Sequence, residues 1–436
     1  MLTDFKLFSE SEKMKNSDSI HVIGGGVIGL TSAWYLTKAG YDVTVIDRGD
    51  MSDGTSHGNA GMIVPSHFVP MAAPGVISQG IKWMFDSKSP FYVKPRLDVD
   101  LIRWVWHFYR SCNQSHVARS MPILYEFNEW SKELYREFAE DARFSFCFEE
   151  KGLLMTYRKS HQEAEEVALA KKAQQLGIAA HVLSADEVQE LEPNIAVSVL
   201  GGVYFPGDAH LYPNMFVSQL RKQLAAVGVK FMHSCEVVDF NMQGDVINRL
   251  HLQNGSDVPV NEVVLCGGSW TALLLKKLGV KMLLQDGKGY SVTVTNPEQK
   301  PSIPTILTEA KVAVTPMGDD LRIGGTLELG GLSTKVNRNR LKGIIESLPK
   351  YYPDLKIDEP SVTEVWKGYR PCSADGMPYI GRSRKVSNLV VATGHGMMGM
   401  SMGPATGQLV AQIIAGEPTT IDLSMMTLER RGGQGA

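Results

Sequence analysis

Over residues 20–61 an apolar run, a glycine-rich turn, a helix and a second apolar run ending in an acid follow one another, and no other stretch constrains the fold as tightly. Ile20, Val22 and Ile23 have the character of a parallel strand buried on both faces. Gly24, Gly25, Gly26, Val27, Ile28 and Gly29 follow at the spacing G-x-G-x-x-G. Leu30 to Lys38 then reads as a helix, with Gly40 as its C-terminal stop. Val43, Val45 and Ile46 form the next strand, which ends at Asp47.

Each residue has a physical task if a dinucleotide lies here. Gly24 permits the tight turn, Gly26 lets a pyrophosphate approach the backbone, and Gly29 lets the helix pack closely on the sheet. Free N–H groups at the helix N-terminus favour the phosphates. Asp47, 18 residues after Gly29, is placed to accept hydrogen bonds from a ribose diol, and its charge disfavours a 2'-phosphate, which argues against NADP. Between NAD and FAD, a second small-residue loop close behind the strand favours the flavin. It comprises Thr55, Ser56, His57, Gly58, Asn59, Ala60, Gly61 and Met62, and a flavin ring needs such further backbone donors, whereas nicotinamide enzymes usually return directly to a crossover helix.

At 436 residues the chain has room for two or three domains. Its net charge of −3 offers no nucleic-acid surface. Residues 1–19 are polar and mixed in charge, unlike a signal peptide, and no apolar run reaches the ~20 residues that span a bilayer. The five cysteines, Cys112, Cys147, Cys235, Cys266 and Cys372, are scattered without a C-x-x-C, so a reduced, cytoplasmic setting without disulfides or a metal site is expected.

Further along, residues 63–97 read as irregular connection with one short helix. Leu101 to Tyr109 interleaves Trp104 and Trp106 with Arg103 and Arg110, a pattern that suits either a packed helix or peripheral contact with the inner face of the cell membrane. Helices are expected near 118–140 and 161–176 around a strand from Phe144 to Tyr157. Ser184 and Glu187 have capping-box spacing, and Pro213 suits the first turn of a helix running to about Ala226. Val263 to Gly268 and Leu389 to Gly399 then repeat the theme of a buried strand ending in glycines ahead of a helix, and the N-terminus of that last helix is suited to facing the N1 and C2=O edge of a flavin. Between these two segments, alternating strands over 288–328 suit an antiparallel sheet with one face toward a pocket.

The expected fold is α/β, α+β overall: a Rossmann-type FAD-binding domain with an inserted antiparallel-sheet substrate domain. The first comprises 19–95, 205–285 and 365–425, the second 96–204 and 286–364, with flexible ends at 1–18 and 430–436.

The segments HVIGGGVIGLTSAWYLTKAG, SHGNAG, GKGYSV, WKGYRPCSADGMPYIGRS and TGHGMMGMSMGPATGQL together resemble the bacterial D-amino-acid dehydrogenases, in the FAD-dependent amine-oxidising superfamily with glycine oxidase, sarcosine oxidase and D-amino-acid oxidase. The resemblance runs from about residue 19 to residue 429. It implies that Gly24, Gly26, Val27, Ile28 and Gly29 form the pyrophosphate turn, and that Asp47 and Arg48 meet the adenosine ribose. Thr55, Ser56, Asn59, Ala60, Gly61 and Met62 would lie beside the flavin. Val237 would hold the adenine with Gly267 beneath it, and the segment Gly394, His395, Gly396, Met397, Met398, Gly399 and Met400 would wrap the isoalloxazine.

By the same resemblance Arg370 binds the substrate carboxylate, since a guanidinium grips it with two parallel hydrogen bonds. Tyr290 is a candidate for orienting the amine or carboxylate, and His210 and Tyr212 for a loop roofing the pocket, bulky enough to favour a cyclic substrate such as D-proline or a hydroxy-D-proline. The implied reaction is oxidation of a D-amino acid to an imino acid and then a 2-oxo acid plus ammonia, with electrons passed to a quinone or other carrier. An oxidase using oxygen and a non-catalytic flavin-binding protein are the alternatives. Cys372 is read as a simple thiol, not a flavin attachment point.

Overall fold

The computed structural model describes residues 19–83, 89–94, 96–333, 335–357 and 362–430, so apart from Arg430 both expected flexible ends lie outside the described residues. Ser19–Ile23 and Asp42–Ile46 are parallel neighbours, with Val22 opposite Val45 and Ile23 opposite Ile46. Both are buried almost throughout, which is why they are written in branched aliphatics with no polar alternation. Glu262–Leu265 and then Leu389–Thr393 extend this sheet in parallel on one side and Lys230–Met232 on the other; Tyr379–Arg382 closes one edge antiparallel, making six strands.

Helix Val27–Lys38 packs against the last helix, Gly403–Ala415. The close approach has a residue-level cause: a methyl on Gly407 would collide with the backbone of Thr31, while the Thr31 hydroxyl lies 2.9 Å from the Gly403 carbonyl. Pro404 sits in the first turn of that last helix, where its missing N–H costs nothing.

A second sheet has nine strands. Val362–Ser373, Leu284–Val294, Asp320–Leu329, Val312–Met317, Thr305–Leu307, Leu153–Tyr157, Gly201–Phe205 and His181–Ser184 follow in that order, and Phe91–Val93 pairs beside Asp320–Leu329. A smaller meander, Val237–Gln243, Val246–Leu252 and Asp257–Pro259, sits on the nucleotide side and packs its apolar face with Ile23, Ile46 and Leu265. The architecture is therefore the mixed α/β arrangement expected.

Sheet membership divides the chain differently from the expected residue numbers. Phe91–Val93, assigned to the nucleotide portion, and Val362–Ser373, assigned to it from residue 365 on, are strands of the second sheet. Helix Gln114–Glu140, assigned to the substrate portion, instead packs on Gly403–Ala415 and adds Leu124, Phe127, Tyr135 and Phe138 to the core around Ile20 and Leu30. The strand expected from Phe144 shortens to Leu153–Tyr157, because Cys147 at φ 51° and Gly152 at φ 75° break the extended run. The capping box at Ser184 and Glu187 forms, opening helix Ala185–Leu191, and Pro213 opens Pro213–Ala226. Among the described residues no helix is long and apolar enough to cross a membrane, and no cluster of metal-ligating side chains occurs.

Candidate active site

A cavity of about 1420 Å³ runs from the Gly24–Ile28 turn to the face of the second sheet. It exceeds the few hundred to ~1,000 Å³ of an ordinary small-molecule pocket, and it opens past the carboxyl ends of the parallel strands, where α/β sheets bind ligands. Gly24 holds φ 109°, and a methyl there would come 2.5 Å from the Cys266 carbonyl. Gly29 does not line the cavity; a methyl on it would strike the Gly24 carbonyl, so its task is the close packing of helix on turn. Gly26 opens the helix without a side-chain cap, leaving its first N–H groups near the cavity, with Val27 N donating to Ser56 Oγ at 2.9 Å.

Asp47 accepts from Gly25 N at 2.6 Å and from Gly49 N at 2.8 Å, so its carboxylate ties the two turns together and keeps lone pairs for a diol. The Arg48 guanidinium lies 3.5 Å over the Trp270 ring, a flat platform beside the cavity. Val237 and Gly267 close this end.

The family model of DAO FAD-dependent oxidoreductases matches residues 19–413. This chain belongs to that family. A D-amino acid dehydrogenase of Granulibacter bethesdensis is 32% identical over 421 residues, covering 94% of this chain and 99% of that protein. Among solved structures, glycine oxidase from Geobacillus kaustophilus is similar with a TM-score of 0.76 at 23% identity, covering 95% of this chain and 100% of that one. L-proline dehydrogenase from P. horikoshii is similar with a TM-score of 0.71 at 20% identity, covering 96% and 98%.

The cofactor of this DAO-family enzyme is FAD, and the residues present fit it. Thr55, Ser56, Asn59, Ala60 and Met62 line the cavity, as do His395, Gly396, Met397, Met398, Gly399 and Met400. Asn59 Oδ1 accepts from Gly61 N at 2.8 Å and fixes the first loop. Gly61 and Gly394 stand behind the lining at φ 70° and 82°; a methyl on Gly61 would strike the Leu211 carbonyl, and one on Gly394 would come 2.9 Å from the Tyr379 ring. His395 lines the cavity, but its Nε2 is 3.0 Å from Thr406 Oγ1 on the last helix. Thr406 gives its own proton to Met402 O, so this histidine donates to the helix, and burial pushes it down to about 3, which keeps it neutral.

Arg370 lies on Val362–Ser373 and lines the other end. Gly289 on the neighbouring strand makes room for it: a methyl there would collide with the guanidinium. One Arg370 nitrogen, Nη1, donates to the Thr326 carbonyl at 2.5 Å. Thr326 sits at a register shift in Asp320–Leu329 with φ 66°, a conformation that a β-branched residue rarely adopts. Among the described residues no carboxylate pairs with Arg370, and burial lowers its affinity for the proton. The Arg430–Asp375 pair at 2.8 Å is the contrasting case, a buried arginine fully answered inside the fold.

Three expectations are corrected. Tyr290 borders the cavity, but its hydroxyl accepts from Asn337 N at 3.0 Å and its ring packs with Val292, Ile344 and Leu348. Side chains alternate along a strand, so Tyr290 faces away from the side where Gly289 meets Arg370. His210 and Tyr212 do not line the cavity. His210 is buried in a two-strand ladder opposite Met62, and Tyr212 Oη donates to Asp320 Oδ2 at 2.7 Å, so neither roofs the pocket and the argument from them for a cyclic substrate falls. Cys372 is a buried free thiol off the cavity, pushed up to about 12 by burial. Sequence reasoning missed His67, Lys311, Thr326 and Trp366, all of which line the cavity. Trp366 alone had a visible sign, inside the WKGYRP segment, where Gly58 and Gly368 both yield space to its ring.

Proposed function

We propose that this enzyme oxidises D-amino acids and passes the electrons to a quinone or similar carrier. The carrying observation is Arg370, a buried cation beside the flavin cavity with no carboxylate partner among the described residues. Leaving such a charge unanswered costs several kcal/mol, so the site is suited to an anion brought by the substrate. Thr326 O occupies one N–H and sets the plane of the fork; the remaining N–H groups match a carboxylate with two parallel bonds. When bound, FAD accepts the hydride lost from the substrate Cα. The protein's share is orientation, holding the α carbon in place and keeping water from the reacting bond. The substrate gives up a hydride and one amine proton to become an imino acid, which water converts to a 2-oxo acid and ammonia. D-stereochemistry rests on the likeness to the Granulibacter enzyme.

A carrier reading draws on helix Val99–Ser111. Its inner face is pinned by Trp104, whose Nε1 donates to Cys372 O at 2.9 Å, while Ile102, Trp106 and Tyr109 are 59%, 51% and 67% exposed. Arg103 and Arg110 flank this apolar face, and Val105 and Phe108 of the same helix line the cavity. Such a face suits a membrane interface where a quinone is available.

The test is anaerobic mixing of the yellow enzyme with a panel of D- and L-amino acids. Bleaching by D-amino acids supports the reading; a protein bleached by none of them refutes it. Peroxide yield in air against quinone-analogue reduction then separates dehydrogenase from oxidase.

A further inference from the structure

We propose that His67 is a further catalytic residue, receiving the proton that the substrate amine must lose before its α C–H bond breaks, with Ser66 and Asp208 as positioning residues that choose which ring nitrogen receives it. The inference rests on the reading of the cavity as an amino-acid site with Arg370 at the carboxylate.

His67 lies in the loop after Met62–Ile63 and lines the cavity, with its Nδ1 3.3 Å from Ser66 Oγ. Ser66 and Asp208 are 4% and 1% exposed. Both Ser66 N, at 3.0 Å, and Ser66 Oγ donate to the Asp208 carboxylate. A serine has one hydroxyl proton; given to Asp208, it leaves the oxygen to accept from His67 Nδ1–H. The neutral ring then carries its lone pair on Nε2, the nitrogen not engaged by Ser66.

The surroundings keep the ring neutral in the free enzyme, so that it takes up a proton only after the substrate carboxylate has entered. Lys311, in the turn before Val312–Met317, lines the same cavity, and burial together with its charge pushes His67 down to about 4. A methyl on Gly325 would lie 3.2 Å from the Lys311 carbonyl, and the next residue, Thr326, holds Arg370. The histidine, the lysine and the guanidinium therefore belong to one end of the cavity. The lining carboxylates, Asp47, Asp53 and Glu236, lie with the nucleotide turn and the adenine strand at the other end. Lys311 is also faced by the buried Glu166, and once the substrate carboxylate answers Arg370 its negative charge offsets the cost of an imidazolium, which makes the neutral imidazole the acceptor at hand. An N–H bond breaks, an Nε2–H bond forms, no electrons change hands, and the proton leaves to solvent with the product.

Asp208 is faced by Glu129, Lys132 and Tyr125 of helix Gln114–Glu140 and by Tyr204 of Gly201–Phe205, and burial pushes it up to about 7. Above that value it is the anion that orients the chain of hydrogen bonds.

The test uses FAD-loaded enzyme and the variants His67→Leu, His67→Gln, Ser66→Ala and Arg370→Lys. Anaerobic flavin reduction by a D-amino acid is followed from about pH 6 to about pH 10, a span over which the α-amino group of the substrate titrates. Binding of two non-reacting probes is read from the flavin spectrum: 2-aminoisobutyrate, which has amine and carboxylate but no α C–H, and benzoate, which has no amine. His67→Leu is expected to slow reduction about 10²-fold near neutrality and to recover at high pH, where the amine arrives deprotonated. Its 2-aminoisobutyrate binding shifts to higher pH, and benzoate binding stays unchanged. Ser66→Ala gives a smaller shift of the same kind, and His67→Gln, which keeps a polar side chain but no base, repeats the leucine result should that variant fold poorly. A defect equal at every pH, or none, overturns the proposal. Benzoate binding unaffected by Arg370→Lys would instead overturn the underlying amino-acid reading.

Discussion

Arg370 is answered by one carbonyl and otherwise by the cavity, so its replacement is expected to act on substrate and not on fold. Arg370→Lys keeps the charge and loses the planar fork; a loss of about 1.5–3 kcal/mol, roughly 10- to 100-fold in kcat/KM for D-amino acids, is expected. Steady-state kinetics with an artificial acceptor checks it. Gly289→Ala is a sharper test of the same geometry, because its methyl would displace the guanidinium without touching the nucleotide turn. KM should rise by at least about tenfold while the visible flavin spectrum stays as in the parent. An unchanged KM would mean that Arg370 does not contact the substrate.

Helix Val99–Ser111 has separable faces. Its N-cap Asp98 accepts from Asp100 N at 2.9 Å and Leu101 N at 3.2 Å. Asp98→Ala is expected to cost about 1 kcal/mol, visible as a lower urea midpoint. The outer face predicts a different result: Ile102→Glu with Trp106→Glu should abolish sedimentation with anionic vesicles and leave dye-linked turnover intact, since neither side chain lines the cavity. Equal vesicle binding by the double variant would remove the membrane reading.

At the scale of the whole molecule, FAD links the two sheets, because residues from both line its cavity. Free FAD at about 100 times its Kd should add about 2.7 kcal/mol to stability, measured as a higher Tm than the apoprotein. Two buried carboxyls have opposite pH signatures. Arg430 holds Asp375 below its usual range despite burial, so this contribution is present above the unfolded value and lost as pH falls through the folded one. Asp208, pushed up to about 7, binds its proton more tightly folded than unfolded, so its contribution is full in acid and declines as pH rises from about 4 to about 7. Asp208→Asn should therefore lose less stability than the parent between about pH 4 and about pH 7, a difference on the order of a few kcal/mol in urea unfolding.

What the sequence determined by itself is what a few tens of adjacent residues determine. The G-x-G-x-x-G turn with its flanking strands, the acid at Asp47, the capping box at Ser184 and the proline opening Pro213–Ala226 all depend on local spacing, and the cavity-lining loops followed from motif resemblance. Which strands share a sheet was decided by tertiary structure, since Val362–Ser373 pairs with Leu284–Val294 across a long intervening segment. Parity decided Tyr290: one residue along a strand separates facing Arg370 from facing a buried helix, and only the register tells which side is which. Thr326 became informative once its backbone conformation was known. His67 acquired a role through Asp208, which is remote in sequence and meets it through Ser66. Periodicity carries the energetics of neighbours along the chain, whereas a buried proton acceptor or an unanswered cation is created by groups that become neighbours only on folding.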